Sequence, residues 1–276
     1  MRTYPGVRRA VLIVAALVVV AGAAAIWFAV RTPVAQPPGC TVAPVSGSGD
    51  FTLSPEQAGN AATIAAAGQQ LGMPDHAVTV ALATAMQESK LTNLPGGDRD
   101  SAGLFQQRPS QGWGTYAQVV DPVHASITFY NHLRAVPNWQ QLAVTDAAQQ
   151  VQHSAAADAY AQWEEEARAV AVALTGQTPG ALTCHDLKIG APTASLTTTA
   201  AAEWGTSALS GPQAPTRGWA ISLWLVAHAG PFGVDRVSFG GRTWTAASGM
   251  WSAASSVANT VSWHQVQGST GQGGQG

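Results

Sequence analysis

Hydrophobic and polar residues follow three different patterns along the chain, and each pattern predicts a different kind of element. An uncharged apolar run extends from Ala10 to Val30, and a helix of that length can cross about 30 Å of hydrocarbon. Between residues 54 and 89 the apolar residues recur with the spacing of one helix face. After residue 217 an apolar helical run precedes short alternating stretches that are typical of strands, and Gly240-Gly241 between two of them predicts a two-residue hairpin turn. The predicted fold class is an N-terminal transmembrane helix, a mostly α-helical domain and a small α+β C-terminal domain.

Charges around the apolar run give its orientation. Arg2, Arg8 and Arg9 precede the run, whereas Arg31 alone follows it closely. The positive-inside rule then makes residues 1–31 a cytoplasmic tip and a transmembrane anchor, and it places the rest of the chain outside the cell membrane. Residues 10–30 would contact the cytoplasmic membrane. Cleavage near Ala25, inside the run, or near Ala35, after it, would instead release a secreted protein, and the sequence leaves both alternatives open.

Changes in composition divide the remaining chain. Residues 32–53 are rich in Pro, Gly and Ser and are predicted to form an extended stalk. Residues 54–184 form the helical domain, and residues 185–216 lose periodicity and are interpreted as a linker. Residues 217–267 form the small α+β module. Residues 268–276 consist mainly of Gly and Gln and are predicted to be disordered.

The two cysteines, Cys40 and Cys184, bracket the helical domain. In an exported chain they would face an oxidising space, where disulfides persist. We therefore expect a disulfide between them, with two unpaired thiols as the alternative.

Start and stop signals define two helices in the helical domain. Ser54 and Gln57 form a capping-box pattern, and the first helix should end near Gly72. Asp75 is the expected cap of the second helix, whose final turn contains Glu88 at the edge of the apolar face. Lost hydration and the negative end of the helix dipole should both favour the protonated form of this glutamate. From the helix position alone, an exposed glutamate in a frayed turn next to Lys90 is the alternative.

The stretch from residue 86 to residue 114 concentrates polar chemistry in a chain that is only 10% charged. Its Glu88-Ser89 pair, its Gly103-Leu104-Phe105-Gln106 run and the nearby Pro109 resemble the soluble lytic transglycosylase and goose-type lysozyme superfamily. This resemblance implies a lysozyme-like fold over residues 54–184 and peptidoglycan glycan strands as the substrate. It also implies that Glu88 is the catalytic acid, that Gln106 contacts the sugar and that no cofactor is needed.

Further substrate contacts are predicted around the two motifs. Trp113 and Tyr116 offer aromatic faces on which sugars can stack, and filling of the small helical core is the alternative for Trp113. Ser89 and Gln107, which neighbour Glu88 and Gln106, are also assigned to substrate binding. Gln149 belongs to this set as well, since it takes the position where the superfamily usually has a tyrosine that orients the acid or the substrate. A hydroxyl could come instead from one of the other tyrosines, and the sequence does not choose among them; these are Tyr116, Tyr130 and Tyr160.

Asp98 and Asp100 have two interpretations. Glycosidases of the two-carboxylate kind need a second acid beside the bond, and both residues lie in the loop expected to face Glu88. The same "GGDRDS" segment is also good turn-forming sequence. If the two aspartates are structural, Glu88 acts alone and the product is a 1,6-anhydro sugar, as the resemblance to lytic transglycosylases implies.

Other function classes are disfavoured. The formal net charge of −2 gives no basic patch for nucleic acid, and the seven histidines show no metal-ligand spacing. The C-terminal module weakly resembles a degenerate zinc D-Ala-D-Ala carboxypeptidase-like domain of actinobacterial wall proteins. Ser222 stands where that module has an aspartate ligand, and of its His-x-His pair His264 remains. Residues 217–267 are therefore interpreted as a module that binds either the cell wall or an envelope protein partner.

Two functions remain open at this level. The first is a membrane-anchored extracytoplasmic peptidoglycan glycosidase that cleaves the MurNAc-GlcNAc β-1,4 bond with Glu88. The second is a non-catalytic wall-binding or scaffold protein of an envelope secretion or conjugation apparatus. The two motifs favour the enzyme, and the missing superfamily tyrosine favours the scaffold.

Overall fold

The computed structural model describes residues 37–47, 49–154, 158–254 and 258–266. The apolar run Ala10–Val30 and the tail 268–276 lie outside these ranges. Of the helices within them, none is long and apolar enough to span a bilayer. Chain contacts divide the protein after Pro37, and the helices and strands below all belong to residues 38–276.

Two long helices form the centre of the structure. Helix α1 (Pro55–Gln70) begins with the predicted capping box, in which the Ser54 N–H donates to Gln57 Oε1 at 2.8 Å and the Ser54 hydroxyl accepts from the Gln57 N–H. Helix α2 (Asp75–Ser89) starts differently from the prediction. Pro74, in an extended conformation, is its N-cap, and Asp75 is its first residue with no capping bond. The N-cap and the helix start therefore lie one position closer to the N-terminus than predicted.

The remaining helices of this part pack against α2 or against its neighbours. They are α3 (Tyr116–Val119), α4 (Pro122–Ala135), α5 (Val144–Gln152) and α6 (Glu164–Leu174). Helix α2 packs against α1, α5 and α6, and α1 packs against α4. Most residues of α2 are consequently buried. Its many alanines allow these neighbours to approach closely, which explains an alanine-rich helix that is buried on nearly every side.

Two strands of a small antiparallel sheet lie in the region that was predicted as a stalk. The sheet contains β1 (Gly39–Val42), β2 (Phe51–Leu53) and β3 (Leu182–His185) in the order β2-β1-β3. Residues 39–42 and 51–53 are therefore paired strands rather than an extended stalk. Cys40 lies directly opposite Cys184 in the register, and the two buried cysteines form the expected disulfide. Their partner strand lies far along the chain, so composition alone did not indicate this pairing.

The predicted linker 185–216 also differs from expectation. It contains α7 (Leu196–Trp204), capped by Ser195, and the short strand β4 (Gly211–Pro212). Glu203 is 3% exposed. Its carboxylate accepts bonds from the Thr63 hydroxyl at 2.8 Å and from the Trp224 indole N–H at 2.5 Å. His228 Nε2 lies 3.9 Å from the same carboxylate. These contacts bind α7 to α1, so this segment is part of the core.

The C-terminal residues agree well with the alternating pattern. Helix α8 (Pro215–Ala227) is followed by α9 (Ala229–Phe232) and by four strands: β5 (Val234–Phe239), β6 (Arg242–Thr245), β7 (Met250–Ala253) and β8 (Thr260–Gln265). The second sheet has the order β4-β8-β5-β6-β7. Gly240 and Gly241 form the predicted two-residue hairpin turn, both with positive φ, as a turn matching the strand twist requires.

Within the described part of the chain, nine α-helices and two small sheets give a mixed α/β structure. Helix α8 packs against α1, α6 and β3. The buried residues of the helical part and of the C-terminal module form one hydrophobic cluster. The module therefore shares a core with the helices that carry the candidate site.

Candidate active site

A cleft of about 660 Å³ opens at the C-terminal end of α2. Glu88 lies in the last turn of α2 and faces this cleft. The loop after α2 supplies most of the polar wall, and the end of α5 supplies the opposite side. The remaining polar and aromatic lining residues are Asp98, Arg99, Ser101, Gln106, Arg108, Gln111, Trp113, His132, Gln152, His153 and Ser154.

Glu88 is half-buried, and its surroundings favour the protonated acid. Burial raises the pKa of Glu88 above its ordinary value, whereas hydrogen bonds from Tyr160 and Gln152 and the charge of Lys90 oppose that rise. The Tyr160 hydroxyl donates to Glu88 Oε1 at 2.8 Å. The sequence-based expectation of a carboxyl with reduced hydration agrees with this environment.

Of the three tyrosines that the sequence left open, Tyr160 is the one whose hydroxyl contacts Glu88. Its side chain is buried, and burial together with the Glu88 carboxylate raises its pKa. It therefore stays protonated at neutral pH and remains a hydrogen-bond donor to Glu88. The other two candidates are used elsewhere: the Tyr116 hydroxyl donates to Pro95 O at 2.7 Å and that of Tyr130 to Ile64 O at 3.0 Å.

Ser89 and Gln107 do not line the cleft; both are buried in the protein behind it. The Ser89 hydroxyl donates to Leu104 O at 2.7 Å and thereby fixes the Gly-Leu-Phe-Gln turn to the end of α2. The Gln107 amide donates to Ala125 O at 3.1 Å, which connects the same turn to α4. Both side chains are buried. Their predicted contact with substrate is therefore replaced by a structural role, because their polar atoms face the protein.

Gln106 lies in the cleft in a conformation that the turn imposes. Its φ is 47°, in the left-handed region. Its amide N–H donates to Gly103 O at 3.1 Å, and its Oε1 accepts from the Ser101 hydroxyl at 3.0 Å. Gly103 has φ 80°, and a Cβ there would lie 1.9 Å from Val119 O. The motif needs glycine at this position because the backbone before α4 packs directly against it.

The two aspartates of the loop have different positions. Asp100 accepts the Ser110 N–H at 2.7 Å, the Ser110 hydroxyl at 3.0 Å and Arg108 Nε at 2.8 Å. The Ser110 backbone and side-chain bonds, followed by the Arg108 bond, hold the pKa of Asp100 well below its usual range. Asp98 lines the cleft, but its side chain is 91% exposed. Asp100 therefore stabilises the loop, and Asp98 lies at the solvent-facing rim.

The two predicted stacking residues are separated. Trp113 lines the cleft, and its ring stacks on His132 with centroids 4.1 Å apart. Tyr116 is 54% exposed and is not among the lining residues. An aromatic platform thus exists at Trp113 and not at Tyr116.

Residues at the end of α5 include one that sequence reasoning missed. Gln149 donates to Ser154 O at 2.7 Å and does not line the cleft. Gln152, three positions later, lines the cleft, donates to Phe105 O at 2.9 Å and hydrogen-bonds Glu88. The helical spacing could have suggested Gln152, because a residue three positions along lies on nearly the same helix face.

Neither a metal site nor a sequence comparison adds evidence about the function of the cleft. No group of three or more His, Cys, Asp or Glu residues that could hold a metal ion occurs among the residues described. A search of protein-family models and of curated proteins finds no match to this chain. The candidate function therefore rests on the residues of the cleft.

Proposed function

We propose that this protein is a peptidoglycan glycosidase that cleaves the MurNAc-GlcNAc β-1,4 bond as a lytic transglycosylase with Glu88 as its single catalytic acid. The observation that supports this most strongly is a half-buried glutamate at the floor of an open cleft, held by the Tyr160 hydroxyl at 2.8 Å. A general acid needs a pKa close to the working pH. Burial shifts Glu88 in that direction.

The contacts of Glu88 also suit a residue that must change roles. In the first step the Glu88 carboxyl gives its proton to the bridging oxygen, and the bond from that oxygen to C1 breaks while the substrate's N-acetyl oxygen bonds to C1. In the second step the Glu88 carboxylate takes the proton of the 6-hydroxyl, whose oxygen bonds to C1 and releases the N-acetyl oxygen. Tyr160 stabilises the carboxylate formed between the steps, because it donates to Glu88 Oε1.

The single-acid route fits the positions of the neighbouring aspartates. Asp100 is committed to Ser110 and Arg108, and Asp98 lies at the exposed rim. A nucleophile or a base that positions water should instead be held firmly within the site. The substrate's own groups supply the second nucleophile in the proposed mechanism, so a carboxylate partner is not needed.

Substrate would lie along the cleft between Gln106 and Trp113. Gln106 is fixed by two hydrogen bonds and can direct amide atoms towards sugar hydroxyl or acetamido groups. The Trp113 ring, backed by His132, offers a flat apolar surface of the kind on which sugars stack. This arrangement suits an extended polar ligand better than a compact apolar one.

The decisive experiment compares Glu88→Gln with Glu166→Gln in full-length protein incubated with purified sacculi, with products identified by mass spectrometry. Glu166 is a matched control, because burial also raises its pKa and it lies on α6 away from the cleft. Glu88→Gln should abolish 1,6-anhydro products, since general acid catalysis is worth about 10²–10⁴-fold in rate. Glu166→Gln should retain them.

Three results would change this assignment. Wild-type turnover by Glu88→Gln would overturn the enzyme in favour of a non-catalytic wall-binding or scaffold protein. Loss of activity in Asp98→Asn would require a second carboxylate. Reducing-end products without the anhydro sugar would indicate hydrolysis.

We also propose that residues 10–30 anchor the protein in the cytoplasmic membrane with the cleft outside. The support is the uncharged run with arginines on its N-terminal side. Protease added to intact spheroplasts should digest residues 38–276. Digestion only after lysis would reverse the topology, and recovery of the protein in the culture medium would indicate secretion.

A further inference from the structure

The segment that carries Tyr160 is attached to the end of α2 at a second point. The Trp163 indole N–H donates to Gln87 Oε1 at 2.8 Å, and the Gln162 amide donates to the same oxygen at 3.1 Å. Lys90 Nζ lies 4.1 Å from the centroid of the Trp163 ring. We name Gln87, Lys90, Gln162 and Trp163 together the Gln87 latch.

The Gln87 latch is connected to the hydrogen bond between Tyr160 and Glu88 in two ways, through the last turn of α2 and through the turn that carries Tyr160. On one side, Gln87 and Glu88 are consecutive residues in the last turn of α2. On the other side, Tyr160 and Trp163 are linked by one 3-10 turn, in which the Trp163 N–H donates to Tyr160 O at 3.1 Å. Two neighbouring residues of one helix therefore bind three residues of one turn. A single attachment would let the Tyr160 hydroxyl swing about its contact, whereas two attachments fix its position.

We propose that Trp163 is a positioning residue that acts through Tyr160: its indole, bound to Gln87, holds the Tyr160 hydroxyl against Glu88. The consequence for turnover rests on the proposed glycosidase function, whereas the positioning itself does not. Trp163 is half-buried at the edge of the core, and core packing alone would not require its indole N–H to reach Gln87. The indole of Trp163 thus makes a specific hydrogen bond to the residue next to Glu88.

The latch predicts a thermodynamic coupling that can be measured without substrate. The Tyr160 bond stabilises the Glu88 carboxylate, so a displaced hydroxyl should raise the pKa of Glu88 further. Trp163→Phe keeps a ring beneath Lys90 but removes the N–H donor, and Gln87→Met removes the acceptor. Each should shift Glu88 titration upwards, by less than Tyr160→Phe does. In the Tyr160→Phe background, Trp163→Phe should add no further shift, because the hydroxyl it positions is absent.

The experiment is a carboxyl ¹³C titration of full-length protein labelled on glutamate, with Glu88 assigned by its absence in Glu88→Gln. Besides Tyr160, which one variant changes, the charged and titratable groups around Glu88 are retained in every variant: Lys90, Asp98, Arg99, Arg108, His132 and His153. Trp251→Phe is the matched control, because its indole N–H donates to Leu182 O at 2.9 Å and it does not line the cleft. It should leave the Glu88 titration unchanged.

Each outcome decides the proposal. An upward shift in both latch variants that disappears in the Tyr160→Phe background supports it. Unchanged titration with reduced stability in Trp163→Phe and Gln87→Met would overturn it and leave Trp163 with a packing role. A shift of equal size in the Tyr160→Phe background would overturn it as well. If wild-type protein releases no muropeptides, the proposed function fails, and this titration still tests the latch.

Discussion

Two adjacent glycines in the loop after α2 allow a sharp test of how Gln106 is positioned. Neither Gly96 nor Gly97 has a positive φ, so alanine fits the backbone at both positions. A Cβ on Gly96 meets nothing within 4 Å. A Cβ on Gly97 would lie 1.7 Å from Gln106 Oε1 and 2.6 Å from the Ser101 hydroxyl. Gly97→Ala should therefore displace the Gln106 side chain, whereas Gly96→Ala should not.

Gly97→Ala should reduce activity much more than it reduces the free energy of unfolding. In Gly97→Ala the amide oxygen must retreat by more than about 1 Å, because Cβ contacts below 3.0 Å are essentially never seen. The Ser101 bond to Gln106 is then lost, which should reduce the free energy of unfolding by about 0.5–1.5 kcal/mol. A positioning error of about 1 Å can cost about 10²-fold in rate. We therefore expect a large loss of kcat/KM with a small loss of stability.

The assay is initial muropeptide release from purified sacculi, with urea unfolding followed by tryptophan fluorescence in parallel. Gly96→Ala should stay within about 0.5 kcal/mol of wild type, as surface substitutions usually do, and should keep full activity. If Gly97→Ala releases products as fast as Gly96→Ala, the reasoning is refuted, and Gln106 does not contact the reacting sugar. If both lose activity equally, loop rigidity rather than Gln106 placement is responsible.

Three further predictions concern the disulfide, the buried glutamate and the catalytic acid. Replacing both Cys40 and Cys184 with Ser should lower the free energy of unfolding by up to about 5 kcal/mol, because the bond closes a loop with a sequence separation of 144; an unchanged urea midpoint would contradict this. Glu203→Gln should cost about 1–3 kcal/mol, since one of the two buried donors, Thr63 or Trp224, loses its acceptor; a loss below about 0.5 kcal/mol would show that the site rearranges. The raised pKa of Glu88 means that its contribution to stability is present below its unfolded pKa and is lost as pH rises through its folded pKa. Glu88→Gln should therefore unfold at a higher temperature than wild type at pH 7 and at the same temperature at pH 3, while wild-type activity falls as pH rises through the same pKa.

The sequence predicted those elements whose signals are local. The Ser54–Gln57 capping box and the Gly240-Gly241 hairpin are each specified by a few adjacent residues, and both are confirmed. The sheet formed by β1, β2 and β3 was missed, because its pairing depends on contact between residues near 40 and residues near 184. Helix α7 was missed for a different reason. Its "LTTTAAAEW" sequence carries three β-branched threonines, which lower the helix propensity. The helix is stabilised instead by the burial of Glu203 and Trp204.

In the candidate site, too, residues with local sequence signals were predicted and residues placed by long-range contacts were not. Glu88 and Gln106 were predicted from two motifs that lie close together in the sequence, and both side chains line the cleft. Tyr160 was not chosen, because its contact with Glu88 spans 72 positions and no local pattern distinguishes it from Tyr116 or Tyr130. Gln149 was preferred to Gln152 because the superfamily alignment fixed the register there, whereas the actual rotation of α5 turns Gln152 into the cleft.

The position of β1 has a mechanical consequence. The N-terminal segment joins residues 38–276 at Pro38, directly before β1, which is the central strand of its sheet. Tension applied through that segment would first reach a strand that is hydrogen-bonded on both edges and covalently joined to β3 through Cys40 and Cys184. Detaching β1 would require both of its ladders to break, and the disulfide would still transmit the load to β3. A pull from the N-terminus therefore meets this disulfide-joined sheet before it reaches α1, α2 and Glu88.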